Sequence, residues 1–164
     1  MGLDMYLYLR KHESVGRWDD AFEEKAKGFY PPELGEFQAA IEAHNFLSKT
    51  MTYQVGYWRK ANEVHHWIVE NCASGVDECQ TIYVEVEKAK ELLDLCRQVL
   101  DDHSKAKDLL PTSSGFFFGG TEYDEWYFKD IQYTAELLED VLKFIESQPH
   151  TVGNYWDIIY EASW

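Results

Sequence analysis

Ser113-Ser114-Gly115-Phe116-Phe117-Phe118-Gly119-Gly120-Thr121-Glu122-Tyr123-Asp124-Glu125-Trp126-Tyr127 is the densest stretch of a 164-residue chain. A Phe triplet this short and Gly-bounded reads as extended backbone, with at least one ring turned toward a core. Gly119-Gly120 supplies a turn where positive φ costs little. Thr121-x-x-Asp124 resembles a capping box with Asp in the last place. Trp126, Tyr127, Ile131, Ala135, Leu138, Leu142 and Ile145 then recur at helical spacing as far as Pro149. Strand, turn and long amphipathic helix in succession point to a mixed fold.

The flanking sequence extends that reading. Met5–Arg10 alternates aromatic and aliphatic side chains and predicts a strand well inside a sheet. Gln80–Val84 predicts another strand, Met51–Val55 a short one, and the apolar tail Tyr155–Trp164 a strand beside the first. Val86, Ala89, Leu92, Leu93, Cys96, Val99 and Leu100 define an amphipathic helix, and Asp101–Asp108 adds a turn. Over Tyr57–Val69 a helix places Tyr57, Ala61, Val64, Ile68 and Cys72 on an apolar face. Arg59, Asn62, Glu63, His66 and Glu70 then lie opposite, and Ser74-Gly75 ends it. Glu33–Ser48 also carries helical spacing, after an aromatic-bearing loop at Gly28–Pro32 that serves either as a lid or as an ordinary surface insertion. The expected fold class is α+β. It is a single domain over 1–164, with a small, mainly antiparallel sheet packed against three to four amphipathic helices and a variable insertion at 11–50.

Composition bounds the function. With 45% hydrophobic and 16% aromatic residues the chain buries a core. A formal charge of −15 excludes binding of extended nucleic acid through its phosphates, yet leaves room for a small anion in a local site or for a basic protein partner. No apolar run reaches the roughly 18 residues of a membrane span, and Met1-Gly2-Leu3-Asp4-Met5 lacks the features of a signal peptide. Cys72, Cys79 and Cys96 are odd in number, which suits reduced thiols in a cytosol, and no second pair completes a zinc site.

Two stretches carry candidate chemistry. A Gly turn feeding a helix N-terminus presents backbone N–H groups to an anion, and Ser113, Ser114, Gly119 and Thr121 belong to that surface. Glu122 and Asp124 either cap the helix or accept hydrogen bonds from sugar hydroxyls or a base edge. On the Tyr57–Val69 helix, Arg59 suits phosphate, Asn62 an amide or base edge, and His66 proton exchange. Tyr57 and Tyr123 offer rings for stacking. The same polar side is equally well explained as a solvated face on which Glu63 and Glu70 pair locally with Arg59 or Lys60. His65 points to the apolar side and reads as a core histidine. With no hydrolase, P-loop or dinucleotide motif, no catalytic residue, metal ligand or cofactor is assigned.

At Tyr57-Trp58-Arg59-Lys60-Ala61-Asn62-x-x-His65-x-Trp67 and Ser114-Gly115-Phe116-Phe117-Phe118-Gly119-x-Thr121-Glu122-Tyr123-Asp124 the sequence resembles a family of small uncharacterised phage and prophage proteins. Gly2–Tyr8 and Ala162-Ser163-Trp164 look like that family too, whereas Lys11–Thr50 does not. The resemblance implies an accessory protein working in the cytoplasm of a bacterial host, where such proteins counter host defences. Three readings follow from it. The first is a binder that sequesters a small nucleotide-like ligand of immune signalling. The second is an acidic inhibitor that imitates nucleic acid and binds a host defence protein. The third is a nucleotide-degrading hydrolase. Aromatic-rich surface also leaves a homo-oligomer open.

Overall fold

A computed structural model describes residues 2–35 and 45–164. The fold is α+β, with a four-stranded antiparallel sheet. Its strands are β1 (Asp4–Gly16), β2 (Phe46–Arg59), β3 (Ile82–Val84) and β4 (Asn154–Ser163), in the order β2-β1-β4-β3. The described helices are α1 (Phe22–Ala26), α2 (Asn62–Cys72), α3 (Val86–Asp101), α4 (Ala106–Leu109) and α5 (Glu125–Ser147). The chain divides into two compact units, one comprising Met1–Leu9, Tyr53–Gln148 and Asp157–Trp164, the other Arg10–Thr52 and Pro149–Trp156.

In the first unit the period-two pattern of β1 buries Met5, Leu7 and Leu9, with Leu3 just before the strand, and leaves Tyr6 and Tyr8 half-buried. β3 runs antiparallel to β4, with Ile82 opposite Tyr160 and Val84 opposite Ile158. Helices α3 and α5 pack along one another. Leu92, Cys96 and Val99 are buried on α3, and Ile131, Leu138 and Leu142 on α5. Exposed pairs, Lys90 with Glu146 at 2.9 Å and Arg97 with Glu139 at 3.2 Å, link the two helices. Each fully buried aliphatic side chain contributes about 1.5–3 kcal/mol and an exposed ion pair about 0–1, so the apolar seam holds the helices together. Trp58 ties β2 to α5 by donating its indole N–H to Thr134 Oγ1 at 2.8 Å, within the core. Gly56 makes this approach possible, because a Cβ there would overlap Leu137.

The second unit has its own small core of Val15, Ala26 and Leu47, with Phe22, Phe29 and Tyr30 packed against it. Lys49 bridges this cluster, donating to the Phe29 carbonyl at 2.7 Å and pairing with Glu13 at 2.9 Å. Lys49 and Lys11 together hold the Glu13 carboxyl below its ordinary range, against the effect of its partial burial.

Several local expectations are corrected. Tyr57, Trp58 and Arg59 end strand β2, and α2 begins only at Asn62. Pairing with β1 decides this, since the Lys60 amide donates to Leu3 O at 2.8 Å, and Lys60 then breaks the strand at φ 65. Phe116–Phe118 forms a turn closed by the Phe118 amide on Gly115 O at 3.2 Å, rather than a strand. The flanking glycines free the backbone, and no ladder captures it. Asp124 is the cap of α5 itself, in place of a box running from Thr121. Of the helix expected over Glu33–Ser48, residues 36–44 lie outside the described residues, and Phe46–Ser48 belongs to β2. Asn62 and Glu63 are buried rather than on a solvated face. The strands at both chain ends and helices α3 and α5 follow the sequence pattern.

Candidate functional site

The site is built where α2 starts. After β2 the chain turns at Lys60 and the Asn62 amide donates to Lys60 O at 2.8 Å, which aims the Asn62 side chain at the 112–121 loop. Its Nδ2 donates to Phe118 O at 3.0 Å and to Gly120 O at 2.9 Å, while its Oδ1 accepts from the Ser113 amide at 2.7 Å. The carboxamide is thereby fully used, and at 2% exposure it is an internal brace. The Leu3 amide donates to Phe117 O at 3.0 Å from the other side. Gly119 adopts φ 89, and a Cβ there would come 3.0 Å from Lys60 Cβ, so this position requires glycine on both counts.

The loop is also braced at its base. Thr112 Oγ1 donates to Thr121 O at 3.0 Å, and Tyr127 donates its hydroxyl to Leu110 O at 2.8 Å. The Thr112 amide donates to the Tyr123 hydroxyl at 3.3 Å. Phe118 lies edge-on to the His65 ring, with centroids 5.2 Å apart. His65 is 1% exposed and satisfied on both nitrogens, by Tyr160 Oη at 2.7 Å and Asp77 Oδ2 at 3.0 Å. It is a core histidine. Phe116, by contrast, is 95% exposed.

Both sequence motifs therefore meet, through Asn62. Arg59 ends β2 and Lys60, just after it, lies beside the loop at Gly119; the Arg59 side chain is 62% exposed and its Nε lies 3.9 Å from Asp4 Oδ1. That carboxylate is engaged more closely by the Tyr57 hydroxyl, at 2.5 Å, which holds the phenol above its ordinary range. Ser114, Thr121 and Glu122 are exposed and Ser113 half-buried. His66 is half-buried on the turn of α2 after Asn62. Asp124 accepts from the Trp126 and Tyr127 amides at 3.0 and 3.1 Å. We expect Asp124→Ala to cost about 1 kcal/mol, a fall in Tm of roughly 2–4 °C by calorimetry.

Behind this surface lies a group that the sequence pattern does not reveal. Glu63 is 3% exposed, and its Oε1 has no hydrogen-bond partner. Burial, reinforced by the negative Asp130 and Asp124, pushes its carboxyl up to about 8, so it is protonated at neutral pH. Asp130 is pushed up to about 6, by burial and by Asp124. Burial and Glu63 also push the Cys96 thiol up to about 12, which makes it unreactive. On the helical wheel Glu63 sits with the polar residues; tertiary packing buries it, within electrostatic reach of Cys96 of α3 and of Asp124 and Asp130 at the start of α5. No group of three or more metal-binding side chains occurs among the described residues.

No described helix is long and apolar enough to cross a membrane. Comparison with protein-family models, with curated proteins and with solved structures returned no match.

Proposed function

We propose that the ledge formed by Arg59, Lys60 and the Ser113–Thr121 turn captures a small nucleotide-like ligand. The observation that supports this reading is the Asn62 clamp. It fixes a Gly-bounded turn, whose Phe116 ring is almost wholly exposed, against the end of β2, where Lys60 lies beside Gly119 and Arg59 precedes it. Exposing that much apolar surface on a braced turn costs hydration free energy, which a stacked base recovers at roughly 1–3 kcal/mol. Arg59 and Lys60 meet the phosphate, Arg59 by its bidentate fork. The hydroxyls of Ser113, Ser114 and Thr121 supply further donors, and Glu122 accepts from a sugar hydroxyl. Asn62 holds the ledge and does not touch the ligand, because both ends of its carboxamide are engaged internally; Asp124 steadies the ledge by capping α5 through Oδ1.

In the phage setting that the motif resemblance implies, such capture withdraws a nucleotide signal of host defence. Sequestration is favoured over hydrolysis, because Asp124, a carboxylate the hydrolytic reading would pair with His66, has its Oδ1 committed to capping α5.

Isothermal titration with cyclic dinucleotides and with mononucleotides, at micromolar protein, tests the reading. Binding is expected with one of these classes, weakened roughly tenfold or more by Arg59→Ala, with the nucleotide recovered unchanged. Absence of heat with every nucleotide would refute it, and recovery of a cleaved product would replace capture by turnover.

A further inference from the structure

We propose that the tyrosine-bearing face of the sheet in the first unit docks a partner protein through that partner's lysine and arginine side chains. The alternation of β1 sends Met5, Leu7 and Leu9 into the core and turns Tyr6 and Tyr8 to the other face. Tyr6 stacks near Tyr8 at 6.2 Å between centroids and meets the Tyr57 ring of β2 at 5.4 Å. Across the sheet Tyr83 is 55% exposed, and Ile159, in register with it, is fully buried and forms the floor. Tyr57 is 43% exposed. Rigid, amphipathic rings that lose little entropy on contact are the residues interfaces favour.

Charge selects the occupant. The first unit holds 22 acidic and nine basic residues, a net −13, whereas eight acidic and six basic residues leave the second unit at −2. Carboxylates border the tyrosines: Glu161, within electrostatic reach of Tyr8, accepts from Thr81 Oγ1 at 2.8 Å, and Asp4, which accepts from Tyr57, has Arg59 Nε 3.9 Å away. A phosphate backbone is repelled by this field, and so is a second copy carrying the same −13. A lysine or arginine gains on both counts, from the ring faces by cation–π attraction and from the carboxylates at their margin.

A synthetic Arg-Ser repeat peptide is the probe, titrated calorimetrically at physiological salt against the chain and against a Tyr8→Ser, Tyr83→Ser double variant. The substitutions leave the formal charge at −15, so attraction by charge alone is unchanged. The double variant is expected to bind roughly tenfold or more weakly with an unaltered circular dichroism spectrum. Glu161→Gln, which removes no ring, is expected to weaken binding in the same direction. Equal affinity for the native chain and the double variant overturns the proposal. So does a homodimer, seen by sedimentation, that the double variant abolishes, because the face then belongs to a second copy. None of these substitutions touches Arg59, Lys60 or the Ser113–Thr121 turn, so nucleotide capture stands or falls separately.

Discussion

Glu63→Gln is expected to abolish the stability loss that the native chain suffers between about pH 6 and pH 8, and to leave the part below pH 6 that Asp130, pushed up to about 6, contributes. The unfolded chain ionises this carboxyl near its ordinary 4.5, whereas the folded chain keeps the proton up to about 8. Across that window the native state binds the extra proton, so its stability falls as pH rises, by about 1.4 kcal/mol per unit for a single group. The fall is complete above pH 8, where both states are ionised. At neutral pH the accumulated cost is on the order of 3 kcal/mol, large against the roughly 5–15 kcal/mol that holds a domain folded. A carboxamide keeps the shape and cannot ionise. Its extra N–H needs a partner and costs about 1–3 kcal/mol if it finds none, so the readout is the slope rather than the absolute stability. Urea midpoints measured from pH 5 to pH 9 decide the matter: parallel profiles for the two chains would mean that Glu63 is not the titrating group.

Asn62→Ala is expected to release the 112–121 loop. The substitution removes three hydrogen bonds, to Phe118 O, Gly120 O and the Ser113 amide. At about 0.5–1.5 kcal/mol each, their loss costs about 2–4 kcal/mol unless water reaches the freed groups. Opening of the loop should show as faster amide exchange at Phe118, whose N–H closes the turn on Gly115, and at Leu3, whose N–H holds Phe117. The Tyr127 amide, capped by Asp124, should exchange as before. Asn62→Asp separates the roles of the side chain's two ends. It keeps the acceptor for Ser113 but sets a carboxylate against two carbonyl oxygens, and is expected to be at least as damaging. Unchanged exchange at Phe118 and Leu3 in both variants would show that the loop holds without this clamp. Because the proposed ledge depends on the clamp, nucleotide binding should weaken along with loop protection.

Much of the fold is legible in the residues. Val86–Leu100 and Trp126–Ile145 carry apolar side chains at a period that only a helix puts on one face, and both are helices. Met5–Arg10 alternates, and the apolar tail has nowhere to bury except in a sheet, so β1 and β4 follow. The same logic misleads at Tyr57–Val69. Tyr57, Ala61 and Val64 happen to match a helical repeat, while the backbone from Val55 to Arg59 is claimed by β1 through hydrogen bonds no local pattern records. At Phe116–Phe118 hydrophobicity suggests burial. With glycine on either side and no neighbouring strand to pair, the segment closes into a turn and Phe116 reaches solvent.

The candidate site divides in the same way. The residue types at Arg59, Asn62 and Ser113–Asp124 single out two stretches with unusual chemistry, from sequence alone. That the two stretches are adjacent is a tertiary fact, made by one carboxamide spanning 51 to 58 positions of sequence. Glu63 is the sharper case. A charged residue beside the cap of an amphipathic helix belongs on the surface by local pattern, and only tertiary packing, which brings Cys96 of α3 and Asp124 and Asp130 to it, strips it of water and leaves it protonated. By itself the sequence determined the periodic elements, the net charge and the composition of the turn, because these depend on neighbours along the chain. The tertiary structure decided which polar groups are braces, which are buried acids and which face solvent. Hydration and hydrogen-bond partners depend on what packs across, and the chain brings those groups from far away.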